Sequence, residues 1–194
     1  MHHSPDLELS AIVVCRNDEE RIGHLIRRLA THLRALHCHA EIIVVDECSG
    51  DNSLPLLALL RRDLPELKVL AGVPAGRGFA RGAEVAQGRD VLLLDARSEA
   101  PLSSLGLGLS RLAEGLDAFA VHGRFLVARR AGVLRALGAL AHRRDAHDLE
   151  HRFLRRARLA GLRVEVVGKT VAPATPWRKL RQAILMPLAQ RAWW

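Results

Sequence analysis

Two apolar spacings alternate along the chain. "LSAIVVC" (9–15) is a short β-branched run and reads as a buried strand. Ile22, Leu25, Ile26, Leu29, Leu33 and Leu36 then recur at three- and four-residue steps, the apolar stripe of an amphipathic helix. "RNDEE" lies between the two, with Asn17 placed as N-cap and Glu20 three residues on in capping-box position. The pattern returns to strand from Glu41 to Asp46. It turns helical from about Asn52 to Asp63, with Pro55 in the first turn, and strand-like again in "LKVLAG". "GRGFARGAEVAQG" reads as a loop and a short helix ending at Gly88. "DVLLLDA" (90–96) is a fourth strand.

Strand and helix alternating over short joints predict an α/β fold: a mainly parallel sheet flanked by helices, in a single compact domain. The second half is less regular. "PLSSLGLGLSRLAEG" reads as a glycine-weakened helix, "AFAVHGRFLVARR" as two short strands around Gly123, and "AGVLRALGALAHRR" as helix. "HDLEHRFLRRARLAGLRVEVVG" reads as an amphipathic helix closed by Gly161, followed by a strand from Arg163 to Val167. "APATP" (172–176) is a linker to a tail, so the domain is placed at 1–171 and the tail at 172–194.

The strand ends carry the candidate chemistry. "IIVVDECSGDNS" runs from four apolar residues straight into Asp46 and Glu47, with Asp51 close behind, and the fourth strand ends on Asp95. Ligands of parallel α/β sheets bind beyond the carboxyl ends of the strands, where the strand order switches. The bland alternative is a strand-end turn.

Composition narrows the classes. The 194 residues are 49% apolar with a net charge of +8, so the chain buries a core and presents a basic surface suited to an anionic partner. No apolar run nears the ~20 residues of a membrane span. The N-terminus lacks the pattern of a secretion signal. Three cysteines without a CxxC pair fit a reducing compartment, so a cytoplasmic location is expected. Nucleic acid ranks low, because aromatics are 4% and no binding module is recognisable. In the tail, Trp177, Leu180, Ile184 and Leu188 fall at helical spacing among Arg178, Lys179, Arg181 and Arg191. That helix suits a peripheral membrane contact or, equally, packing on the core or a second subunit.

Five stretches in order, "VCRNDEER", "VVDECSGDNS", "GRGFARGAEVAQGRDVLLLDAR", "GRFLVARRAGVLRALG" and "HDLEHRFLRRARLAGLRVEVV", resemble the family 2 glycosyltransferases of the GT-A fold, a Rossmann-like layer. The resemblance implies inverting transfer of a sugar from a UDP- or GDP-linked donor to a hydroxyl acceptor, a lipid-linked one if the tail meets a membrane. It places Asp46, Glu47 and Asp51 on the nucleoside, Asp95 on a divalent metal (Mn2+ or Mg2+), Arg77, Arg81 and Arg97 on the diphosphate, and Asp148 as the base. Each has a bland counterpart: Asp148 is also a good N-cap, and Arg77 and Arg81 are also ordinary surface charges.

The chain departs from the family in several places. The family's Asp-x-Asp is Asp95-Ala96-Arg97, and arginine does not ligate metals. Three readings follow: one carboxylate holds the metal, or Arg97 replaces a cation, or the site is inactive and binds a nucleotide sugar or a partner protein without turnover. The family's glycine is Cys48, so no glycine-only conformation is expected there. His147 replaces the acid before Asp148. "HDLEH" spaces His147 and His151 as in a zincin, but Asp148 stands where that pattern needs glutamate. A nucleotidyltransferase would need a glycine- and lysine-rich phosphate loop, and "CRNDEERIG" is not one.

Overall fold

The computed structural model describes residues 7–121, 125–137 and 149–168, with side chains in the last stretch from 153 onward. Gly123, His147, Asp148, the 172–176 linker and the tail fall outside the described residues. The elements are β1 (Leu9–Cys15), α1 (Glu19–Ala35), β2 (Ala40–Asp46), α2 (Ser53–Leu60), β3 (Leu67–Leu70), α3 (Gly78–Val85), β4 (Asp90–Asp95), a 3-10 turn (Leu102–Ser104), α4 (Leu105–Ala113), β5 (Ala118–Val121), β6 (Phe125–Arg129), α5 (Arg130–Leu137), α6 (Leu149–Leu159) and β7 (Val164–Val167).

The sheet has seven strands in the order β3-β2-β1-β4-β6-β5-β7. The first four are parallel; β6 runs antiparallel to β4 and β5, and β7 pairs parallel to β5. This is the expected mainly parallel α/β sheet. Both faces are covered. Ala11, Val13, Ile42, Val44, Leu92 and Leu94 pack with buried residues of α1, α2 and α4. Ile12, Val14, Ile43, Val45, Val91 and Leu93 pack with those of α3, α5 and α6. Successive strand residues point to opposite faces, so burial on both sides makes the central strands β1, β2 and β4 largely apolar runs.

Helix ends follow tertiary contacts more than local signals. Asn17 does not cap α1: it adopts φ +56°, Asp18 takes the N-cap position, and the Asn17 carboxamide accepts the Gly50 N–H instead (2.8 Å). Leu36 leaves the stripe as the exposed C-cap of α1. Gly161 closes α6 as expected. At φ +71° its N–H bonds the Arg158 carbonyl while the Leu162 N–H bonds that of Ala157, a Schellman closure. Helix α3 stops at Val85, short of Gly88, because Gly88 lies against β1. A Cβ there would meet the Leu9 carbonyl carbon and the Ser10 nitrogen at 2.5 Å. Among the described residues, no helix is long and apolar enough to cross a membrane.

The amino ends of the strands are tied by a buried acid. Glu41 Oε1 accepts the Ser10 hydroxyl (2.6 Å) and the Gln87 N–H (2.8 Å), Ser10 Oγ accepts the Gly88 N–H (2.8 Å), and Lys68 Nζ lies 2.6 Å from Glu41 Oε2. Burial pushes the Glu41 carboxyl up, but the bonds from Lys68, Ser10 and Gln87 outweigh it and hold it below its ordinary value. A depressed folded-state value means that its stabilisation is complete above the unfolded value and is lost as pH falls through the folded one. Glu41→Gln is therefore expected to cost about 1–3 kcal/mol at neutral pH. That difference should shrink in acid below the carboxylate range, as read by urea unfolding at both pH values.

Candidate functional site

Register brings three strand ends level. Cys15 pairs with Asp46 across β1–β2, and Val14 pairs with Asp95 across β1–β4. From β1 the chain steps outward to β2 and β3 and then returns to β4 on the other side, so the strand order switches at β1. The expected crevice therefore lies beyond Cys15, between the loops that follow β1, β2, β3 and β4.

The acids of this rim divide the work. Asp46 has no exposed surface. Its Oδ2 accepts the Ser49 N–H (3.0 Å) and its Oδ1 faces the Cys15 thiol (3.8 Å). Burial raises the Cys15 pKa, and the Asp46 and Asp18 charges raise it further, so the thiol stays protonated as a donor. Sequence places Asp46 on the nucleoside; here its carboxylate holds the loop from behind. Glu47 is half-buried. Its Oε1 accepts N–H groups from Gly76 (2.9 Å) and from Gly78 (2.7 Å), the first residue of α3. A Cβ at Gly78 would meet Glu47 Oε1 and Val14 at 2.8 Å, so only glycine allows the approach. Glu47 Oε2 has no protein partner among the described residues.

Asp51 stitches two helix starts, accepting the N–H of Glu19 through Oδ2 and of Ser53 through Oδ1, both at 3.0 Å. Desolvation raises its pKa, but the bonds from Ser53 and the Glu19 N–H win and hold it low. Asp95 is half-buried; its Oδ1 accepts the Arg97 N–H (2.8 Å), and Oδ2 is without a protein partner among the described residues.

Sequence reasoning missed Asp18. Only 6% exposed, it accepts the Arg16 N–H through Oδ2 (2.8 Å) and Arg97 Nε through Oδ1 (3.0 Å), and its own N–H donates to Ser53 Oγ (3.1 Å). Arg97 Nη2 also donates to the Arg16 carbonyl (2.6 Å), which raises the grip of the β1 loop on the β4 loop. The hydrogen bond and charge of Asp18 push the already high pKa of Arg97 higher. The one sequence hint was the run of acids in "NDEE", too many for a single cap. Arg16 and Arg77 are exposed and make no ion pair among the described residues; Arg81 is exposed on α3 and paired with Glu84 one turn on (2.8 Å). Asp148 lies outside the described residues.

A divalent metal is tested by this donor set. Asp95 offers a carboxylate oxygen, but the next place in the motif is a cation, and the neighbouring Asp18 is locked to it. Among the described residues, no group of three His, Cys, Asp or Glu side chains is arranged to hold a metal ion. The described residues thus offer no ligand set that would hold a metal ion by protein groups alone.

Backbone strain sits in the same loop. Cys48 adopts φ +57°, the left-handed conformation that sequence did not lead one to expect of a non-glycine residue. Its thiol donates to the Val73 carbonyl (3.6 Å), joining the β2 and β3 loops, and the turn that lets Asp46 reach the Ser49 N–H demands the conformation whatever the side chain.

Residues 10–149 match the family model of Glycosyl transferase family 2. An uncharacterized glycosyltransferase of Synechocystis sp. is 29% identical over 117 residues, 57% of this chain and 36% of that protein. Among solved structures, S. aureus TarS (residues 1–349, with UDP-GlcNAc) superposes at TM-score 0.62 with 20% identity, over 84% of this chain and 56% of that one. The mannosyltransferase PcManGT of Pyrobaculum calidifontis, with GDP-Man and Mn2+, superposes at 0.61 with 16% identity, over 92% and 62%. The chain thus spans about a third of the curated relative and under two thirds of these two structures. The likeness confirms the expected GT-A fold.

The strain at Cys48 is measurable. Cys48→Val, with a β-branched side chain at positive φ, is expected to lose about 1–2 kcal/mol. Cys48→Gly should hold or slightly raise the unfolding temperature, since relief of strain offsets the entropy of glycine. Thermal unfolding of the two variants beside the parent checks the order.

Proposed function

The chain belongs to glycosyl transferase family 2, and on that premise we propose that it transfers a hexose from a UDP- or GDP-linked donor to a hydroxyl acceptor with inversion. The observation that carries the reading is the levelled rim at the β1 switch point, where Glu47 and Asp95 each keep an oxygen without a protein partner among the described residues. The two superposed enzymes were solved with UDP-GlcNAc and with GDP-Man, which supports a nucleotide-sugar donor.

In this reading Glu47 Oε2 accepts hydrogen bonds from the nucleoside, while Asp46 and Asp51 hold the loop that presents it. Arg77 and Arg97 face the diphosphate; Arg81, engaged by Glu84, stands further out. The acceptor oxygen attacks the anomeric carbon as the bond to the diphosphate oxygen breaks on the opposite side. The acceptor proton passes to Asp148, the residue directly before α6. The tail suits a lipid-linked acceptor at a membrane surface. Asp95 was assigned a divalent metal by resemblance; its donor set does not support one, and Asp95 is left to orient donor hydroxyls.

Arg97 in place of the second acid also favours a second reading, a family member that binds nucleotide sugar or a partner protein without turnover. Two measurements separate them. UDP, GDP and their sugars at about 100 times Kd should stabilise the fold by about 2.7 kcal/mol, and Glu47→Gln should reduce that shift. Asp148→Asn should leave the shift intact and slow sugar release at least about 100-fold. Nucleotide binding with no sugar released or transferred would decide for the non-catalytic reading.

A further inference from the structure

We propose that Arg97, braced by Asp18 and flanked by Arg16, takes the place of the divalent cation, so that the nucleoside diphosphate binds without metal. The inference rests on the nucleotide-sugar reading above and concerns the same site.

Three observations carry it. First, Arg97 stands at the second-acid position of the family motif, and its backbone N–H donates to Asp95 Oδ1 (2.8 Å). Second, its guanidinium is oriented before any ligand arrives. Nε is held by a carboxylate that is 4% exposed and Nη2 by the Arg16 carbonyl, while the Arg97 side chain as a whole is 52% exposed. Two of the guanidinium's nitrogens are thus bound to the protein, and Nη1 has no protein partner among the described residues. Fixing a long side chain in advance removes much of the ordering that binding otherwise requires. Third, Arg97 meets the β1 loop at Arg16, whose exposed side chain makes no ion pair among the described residues. Asp18 cancels part of the Arg97 charge, so a second guanidinium adds counter-charge for the diphosphate, and Arg16 is the arginine whose backbone Arg97 touches.

A metal at this spot would face a permanent positive charge at short range and a depleted ligand set. Guanidinium groups satisfy phosphate oxygens through forked, charge-assisted hydrogen bonds. They act as both counter-charge and template, with no coordination shell to complete.

The test is isothermal titration of the full chain with UDP and with GDP, in EDTA and again with Mn2+. The expected Kd agrees within about threefold between the two conditions. In EDTA, Arg97→Ala should weaken binding about 10- to 100-fold, and Arg16→Ala should weaken it by a smaller factor. Arg97→Lys keeps Asp18 paired, which guards against loss of the fold, and should fall between, since it keeps the charge but loses the fork. An unchanged unfolding temperature for the lysine variant confirms that the loss is local. Binding that vanishes in EDTA and returns with Mn2+ overturns the proposal and leaves the donor reading standing. Metal-free binding that Arg97→Ala and Arg97→Lys leave untouched overturns the role of Arg97. If neither nucleotide binds under either condition, both readings fall together.

Discussion

Strand β1 is closed in every direction except along its own axis. β2 and β4 hydrogen-bond its two edges, and Ala11 and Val13 are buried on one face as Ile12 and Val14 are on the other. Each large side chain contributes about 1.5–3 kcal/mol by leaving water, and a one-residue slip would send every one to the opposite face. The register Cys15–Asp46 and Val14–Asp95 is thus set by packing far from the rim, yet it decides which side chains meet there. A rim built this way inherits the rigidity of the core.

What stands on the rim is polar because the strands there run out of apolar partners. Each acid accepts a backbone N–H from a loop or a helix start: Asp46 from Ser49, Glu47 from Gly76 and Gly78, Asp51 from Glu19 and Ser53, Asp18 from Arg16, and Asp95 from Arg97. Such charge-assisted bonds are worth more than neutral ones, and they order loops that would otherwise be held only by their ends. The arrangement separates two tasks. Among the described residues, Asp18, Asp46 and Asp51 use both carboxylate oxygens on the protein, whereas Glu47 and Asp95 use one. Glu47 and Asp95 are thus the acids whose second oxygen the fold leaves without a protein partner among the described residues.

This division shows where sequence is readable and where it stops. The α/β alternation was plain in the spacing of Ile22 to Leu33 and in the apolar runs 9–15, 41–46 and 90–96, because burial on two faces writes directly into side-chain type. Which of Asp46 and Glu47 faces out was not written there. They are adjacent acids, and one position of parity along β2 decides it. Asn17 carried a strong local preference for capping, yet a contact with Gly50, 33 residues on, overrode it. Cysteine has no preference that would reveal φ +57° at Cys48. Asp18 and Arg97 are 79 residues apart, so nothing in either neighbourhood announces the pair.

That pair also constrains how the site can change. Asp18 is nearly sealed from water, so removing the guanidinium would strand a buried charge. The loss is smaller than for a fully interior pair, because Arg97 is half exposed, but it falls on the residue that starts α1. Replacing Arg97 with aspartate, as in the family motif, would set another carboxylate beside Asp95 and Asp18 with no cation between them. Mutual repulsion would then loosen the β1–β4 joint unless a metal arrived to replace the lost charge. Arginine and metal are alternative solutions to one electrostatic demand, and Asp18 ties this chain's solution to its folding. A fixed guanidinium keeps the joint closed whether or not a ligand is bound, whereas a metal-dependent joint would open whenever the ion left.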